Sequence, residues 1–278
     1  MSNLKARLSM FFVAVPIVFA VLLFLPHYNH LVFYIMSIPL LIMAGREMKN
    51  LLENKGIDLA PGLWIFPGIF PIYSYLQNIG IIPSQFLPYF LFLLFAYPLT
   101  IEAFVKSEKK LKDVILRISG GFGVIIYPGF LAVFSLSIST LEYANLRFFL
   151  FFWLVFANDT FAYIIGMLFG KNSKKISIVS PKKSLVGFIG GFSATVLFAV
   201  FWQLIFPHVF HSIPISILLG VLMGFAGIIG DLSESALKRS AQMKDSGDTI
   251  PGRGGVLDSI DSVLFSGPVY LCILSLIG

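Results

Sequence analysis

Long stretches almost free of charge constrain this chain more than any other feature. Nine predominantly apolar runs lie near residues 8–26, 31–45, 62–82, 86–104, 113–138, 145–169, 185–206, 213–231 and 256–276. Most have the ~20 residues that a helix needs to cross the hydrocarbon core of a bilayer. The second run is short, the third is interrupted by Pro67 and Pro71, and the fifth carries Gly120, Gly121 and Pro128. The ten-residue alternation of an outer-membrane barrel is absent. Composition agrees. Only 12% of the residues are charged and the mean hydropathy is +0.89, whereas a soluble domain carries about 25% charged residues to cover its surface. The fold expected is all-α: a polytopic integral membrane protein with about nine transmembrane helices, forming one transmembrane domain over residues 1–278. Lys5 and Arg7 give the first run a signal-peptide flavour. Its length and the following Pro26-His27 favour a retained anchor.

The basic residues orient the chain. With the N-terminus inside, all of the 20 Lys and Arg residues except Arg147 fall in inner loops or at inner helix ends, as the positive-inside rule requires. The net charge of +6 then serves anionic headgroups, and nucleic acid is not an expected partner. Cys272 is the sole cysteine, and packing in the last span is its expected role.

Ionisable residues within membrane segments are costly and mark function. Asp159 interrupts the sixth run, Asp231 and Glu234 end the eighth, and Asp258 and Asp261 open the ninth. Each of the last two pairs has a spacing of three, which on a helix puts both carboxylates on one face. Two such pairs around one inner loop repel each other unless a cation joins them. A hard divalent ion such as Mg²⁺, one or two per site, suits carboxylate oxygens. Helix capping is the competing reading for a single Asp at a helix start.

Between the pairs lies a basic, glycine-rich loop: Ser235-Ala236-Leu237-Lys238-Arg239, then Lys244-Asp245-Ser246-Gly247-Asp248, then Ile250-Pro251-Gly252-Arg253-Gly254-Gly255. Glycines allow close backbone approach and backbone N–H groups bind anions, while Lys238, Arg239, Lys244 and Arg253 supply charge for phosphates. The combination suits an Mg²⁺-nucleotide or pyrophosphate. A second inner loop contains Ser180-Pro181-Lys182-Lys183, which could meet phosphate or lipid. The four histidines fall in or beside outer loops, which points away from histidine chemistry and toward metal-assisted carboxylates.

These residues resemble the bacterial phosphatidate cytidylyltransferases (CDP-diacylglycerol synthases). That family's signature is Ser-x-x-Lys-Arg, Lys-Asp-x-Gly, then Pro-Gly-His-Gly-Gly-x-x-Asp-Arg-x-Asp. Here it reads Ser235, Lys238, Arg239, Lys244, Asp245, Gly247, Pro251, Gly252, Gly254, Gly255, Asp258 and Asp261. Asn158-Asp159-Thr160, Ser180-Pro181-Lys182-Lys183 and Gly230-Asp231 also look like family blocks. Arg253 stands where the family usually has His, and Ser259 where it usually has Arg. The resemblance is specific over about 150–265. Residues 1–145 are therefore set apart as N-terminal helices of weak resemblance, and 146–278 as the catalytic helices and loops.

The resemblance implies a transfer from CTP to phosphatidic acid, giving CDP-diacylglycerol and pyrophosphate with Mg²⁺, in a cytoplasmic membrane and on its inner face. It implies Asp231, Asp258 and Asp261 as metal ligands, with Lys238 beside them as a catalytic residue. Arg239, Lys244, Asp245, Arg253, Gly254, Gly255, Asp159, Lys182 and Lys183 are the expected substrate contacts, Gly254-Gly255 cradling phosphate by backbone N–H. CTP, phosphatidic acid and the bilayer are the expected partners, and a homodimer is left open. A CTP-dependent polyprenol or phytol kinase and a transporter with intramembrane carboxylates are the alternatives.

Overall fold

The computed structural model describes residues 16–277 except Lys182, Pro251 and Arg253, so the expectations for Lys5, Arg7, Lys182 and Arg253, and for the start of the first run, lie outside the described residues. No strand occurs among the described residues; two isolated bridges pair Lys175 with Ser184 and Ile250 with Gly254. After a helical stretch over residues 16–24, the main helices are α1 (His27–Asn54), α2 (Ile69–Asn78), α3 (Leu87–Ala103) and α4 (Val114–Val124). They are followed by α5 (Ala144–Phe169), α6 (Leu185–Ile205), α7 (Ile213–Ser240) and α8 (Leu257–Ile277).

Seven helical segments among the described residues are long and apolar enough to cross a membrane, and they match seven of the nine apolar runs. Residues 62–82 differ. They form a 3₁₀ turn, Leu63–Gly68, followed by the ten-residue α2, which at 1.5 Å per residue spans only about 15 Å. Pro67 sits in that turn and Pro71 in the first turn of α2, where a missing N–H breaks no helical bond. The fifth run stays continuous: α4 passes into a π-turn, Ile125–Phe130, around Pro128 and then into Leu131–Leu136. Proline removes a donor from the ladder, and a widened turn absorbs the loss. Many large apolar side chains on these helices are exposed, Phe92, Leu93, Ile115 and Leu197 among them, as suits contact with lipid.

The chain divides into two compact units, one built from the chain up to Ser137 with Leu237–Ser259, the other from Ile138–Ala236 with Ile260 onward. In the first, the 3₁₀ turn packs so closely on α1 that a Cβ at Gly45 would lie 2.3 Å from the Trp64 carbonyl oxygen. Arg117 of α4 and Glu102 of α3 form a buried ion pair, Nε lying 2.9 and 3.0 Å from the two carboxylate oxygens. In the second unit, α5 packs along α6 with backbones nearly touching: a Cβ at Gly191 would meet the Asn158 carbonyl at 2.5 Å. Small residues are how membrane helices gain such contact. Arg147, the basic residue that stood apart in the loop count, is buried in the first turn of α5, and its carbonyl accepts from Tyr270 Oη at 2.9 Å. Cys272, expected to pack, is instead exposed on α8: its position on that helix faces outward.

Candidate active site

In the first unit the loop between α7 and α8 is shaped by its own backbone. Ile250 and Gly254 exchange reciprocal N–H···O bonds of 2.7 and 3.0 Å, closing a tight turn in which Gly252 and Gly254 have positive φ (78° and 109°). Only glycine adopts such angles without strain. The turn brings Gly255 to Asp258 at the start of α8. Asp258 Oδ2 accepts from the N–H of Ser246 (2.8 Å) and the N–H of Gly255 (2.7 Å), and the Ser246 hydroxyl, whose single proton goes to Glu47, lies 2.9 Å from it. Its Oδ1 is ion-paired with Lys238 Nζ, from the last turn of α7. The side chains of Lys238 and Asp258 are only 12% and 7% exposed, so this pair is strongly coupled.

The N–H groups assigned to a phosphate cradle are therefore engaged inside the protein. Gly254 donates to Ile250 O and Gly255 to Asp258 Oδ2, and their close approach serves the Asp258 carboxylate. Arg239 is exposed, and its guanidinium donates to Met243 O at 3.2 Å, closing the end of α7. Lys244 and Asp245 face solvent 3.8 Å apart, a pair that contributes little to stability.

Glu47, from the C-terminal third of α1, enters the same loop. It is 4% exposed. Ser246 Oγ donates to its Oε2 at 2.8 Å and Thr249 Oγ1 to its Oε1 at 3.0 Å. The backbone N–H groups of Val256 and Leu257 follow at 2.9 and 2.8 Å. Sequence reasoning gave no role to Glu47, Ser246 or Thr249. A signal existed: Glu47 falls on the stripe Ala44, Met48, Leu51 that α1 buries, where an acidic residue needs a reason.

The second unit holds Asp159, Lys183, Asp231 and Asp261. The chain of 173–185 folds back on the start of α6: Leu185 N–H donates to Lys174 O (2.8 Å), Val186 N–H to Ser173 Oγ (3.1 Å), and Ser184 caps α6 by accepting from Gly187 N–H (3.1 Å). That fold presents Lys183 to Asp231 of α7, and the two are ion-paired, each about one-third exposed. Asp261 is buried on α8, its Oδ1 accepting from Ser262 N–H at 2.6 Å. Gly230 makes room for the Asp261 backbone, since a Cβ there would lie 2.6 Å from its carbonyl oxygen. Ser262 Oγ donates to Gly227 O at 3.2 Å, and Asp159 Oδ1 of α5 lies 3.5 Å away. Glu234 is fully buried.

Among the described residues, no three His, Cys, Asp or Glu side chains converge as a metal-holding group. Asp258 and Asp231 are carboxylates, the donor type that a hard divalent ion takes, and each now presents an oxygen to a lysine ammonium standing where such a cation would bind.

A family model for the cytidylyltransferase family matches residues 5–277. The chain is 30% identical over 250 residues to the phosphatidate cytidylyltransferase of Bacillus subtilis, covering 84% of this chain and 86% of that one. It is 39% identical over 131 residues to the phosphatidate cytidylyltransferase of Staphylococcus epidermidis, covering 47% of this chain and 50% of the relative. With that of Synechocystis it shares 40% identity over 126 residues, covering 44% and 41%. Against these last two, the match spans half or less of the relative's length.

Proposed function

We propose, given that this chain belongs to the cytidylyltransferase family, that it transfers CMP from CTP to phosphatidic acid, giving CDP-diacylglycerol and pyrophosphate. An oxygen of the lipid phosphate attacks the α-phosphorus of CTP, and the bond from that phosphorus to the bridging oxygen of the β-phosphate breaks. The nucleophile is already an anion at neutral pH, so no strong base is required. What the protein must supply is positioning and charge neutralisation while two anions approach in line.

The observation that carries this reading is the enclosure of the Lys238–Asp258 pair by Ser246 and Gly255. Residues scattered through the sequence motif form one hydrogen-bonded unit. Asp258 holds Lys238 in place, and Asp231 does the same for Lys183. These ammonium groups then meet phosphate oxygens of CTP or of the lipid, with Arg239, Lys244 and Arg253 adding positive charge. Asp159 and Lys182 complete the proposed substrate contacts. Asp231, Asp258 and Asp261 are the carboxylates we assign to Mg²⁺, one ion or two. When bound, Mg²⁺ would neutralise developing charge on the phosphate oxygens and on the departing pyrophosphate. The inner-loop bias of Lys and Arg supports a cytoplasmic membrane location with this chemistry on the inner face.

The test is a detergent assay with phosphatidic acid, Mg²⁺ and CTP labelled at either the α- or the γ-phosphate. The α-label should enter the lipid and the γ-label should leave as pyrophosphate. Transfer of the γ-label to lipid would mean a kinase, and no labelled lipid from either substrate would defeat the reading.

A further inference from the structure

The first 145 residues hold none of the signature motif, yet one of their side chains organises the signature loop. Glu47 is a buried carboxylate on a helix that reads as a membrane span. Such a group is tolerated only when its lone pairs are satisfied. Four donors satisfy it, and all four belong to residues 246–257: Ser246 Oγ, Thr249 Oγ1, Val256 N–H and Leu257 N–H, at 2.8–3.0 Å.

Two of those donors explain how α8 begins. Leu257 is its first residue and Val256 precedes it, and a valine has no side-chain acceptor to cap a helix. The orphan amides at a helix start need an acceptor and favour negative charge. Glu47 provides both from another helix. The loop glycines point the same way. A Cβ at Gly247 would lie 2.8 Å from Glu47 Oε1, and one at Gly255 would lie 2.2 Å from Oε2 and 2.0 Å from Ser246 Oγ. These two glycines give access to a carboxylate of the chain itself.

The contact continues to the proposed chemistry. Ser246 Oγ lies 2.8 Å from Glu47 and 2.9 Å from Asp258 Oδ2, and the Ser246 and Gly255 amides hold that same oxygen. Asp258 in turn holds Lys238. We propose that Glu47 is the positioning residue of the signature loop, clamping residues 246–257 so that Asp258 and Lys238 are fixed for phosphate chemistry. This rests on the assignment of Asp258 and Lys238 to the reaction.

The test pairs amide hydrogen exchange with kinetics on the full-length protein in detergent, comparing wild type, Glu47→Gln, Gly247→Ala and Glu53→Gln. Gln keeps the size of Glu47 but turns one acceptor oxygen into a donor facing the loop. Gly247→Ala leaves Glu47 intact and pushes its carboxylate aside. Glu53, paired with Lys49 on the surface of the same helix, is the control. Both loop variants should exchange the Val256 and Leu257 amides at least ~10-fold faster, with α3 and α4 unchanged. They should also lose roughly 10–100-fold in kcat, the range seen when a group supporting a catalytic ligand is removed, with KM for CTP within ~3-fold. Glu53→Gln should match wild type. Wild-type exchange in the loop of either variant overturns the clamp. So does a rise in exchange spread evenly over α1, α3 and α4 with kcat per folded molecule preserved, which would make Glu47 an ordinary stabilising group. Inactivity of the wild type would defeat the proposed activity instead, and loop exchange would still decide the clamp.

Discussion

Replacing Asp258 by Asn removes one charge and almost no volume, and the structure shows why neither orientation of the amide can succeed. If its oxygen takes the place of Oδ2, it still accepts from Ser246 N–H and Gly255 N–H, but its NH₂ then faces the Lys238 ammonium. If it is flipped, the NH₂ confronts the two backbone donors. In both cases Lys238, 12% exposed, loses its counter-charge. Removing one partner of a buried pair costs about 3–5 kcal/mol. The flexible lysine can move toward water, so about 2–3 kcal/mol is the expected loss, or about 4–12 °C in Tm on the scale of domains of 150–250 residues. Lys238→Met should cost a similar amount by stranding Asp258. The double variant should cost clearly less than the two together, with a coupling energy of about 1–3 kcal/mol. Thermal unfolding in detergent of the four proteins gives the cycle, and the α-labelled CTP assay on the same samples should show each single variant losing at least ~100-fold in rate. Strict additivity of the two single changes would refute the argument, because it would mean that the two charges do not depend on each other.

Other regions offer independent tests. Glu102→Gln or Arg117→Leu alone should destabilise by about 3–5 kcal/mol, whereas Glu102→Leu with Arg117→Leu should recover much of that loss, read by thermal unfolding. Gly191→Val should cost at least about 1–3 kcal/mol, since its first carbon already meets the Asn158 carbonyl at 2.5 Å, and the folded yield in detergent should fall with Tm. Ser184→Ala removes the cap of α6, so a loss of about 1 kcal/mol is expected; an unchanged Tm would count against the capping role. Lys183→Met breaks a pair that is one-third exposed, so stability should shift by less than about 1 kcal/mol while CDP-diacylglycerol formation falls at least ~10-fold. Wild-type rates in that variant would remove Lys183 from the proposed site.

Much of the architecture was legible because lipid imposes a length rule. Seven apolar runs became helices within a few residues of their expected ends, apart from longer C-terminal ends at Asn54 and Ser240. Residues 62–82 were not legible as a 3₁₀ turn followed by a short helix, because hydropathy averages over Pro67, which sits inside that turn and removes a donor from it. The motif residues were legible as types and spacings. Their partners were not. Glycines at 254 and 255 read as an anion cradle, since a sequence cannot tell whether a backbone approaches a ligand or a carboxylate of its own chain.

By itself the sequence determined the helical class, the runs that meet lipid and the motif that marks the family, because each depends on residues close together in the chain. Only the tertiary structure decided what holds that motif in shape. Glu47 reaches Ser246 and Leu257 across 199 and 210 residues, a separation that no helical period records. The physical reason is the cost of burying a carboxylate in a membrane helix. That charge must find its donors wherever the fold brings them, and here the fold brings them from the signature loop.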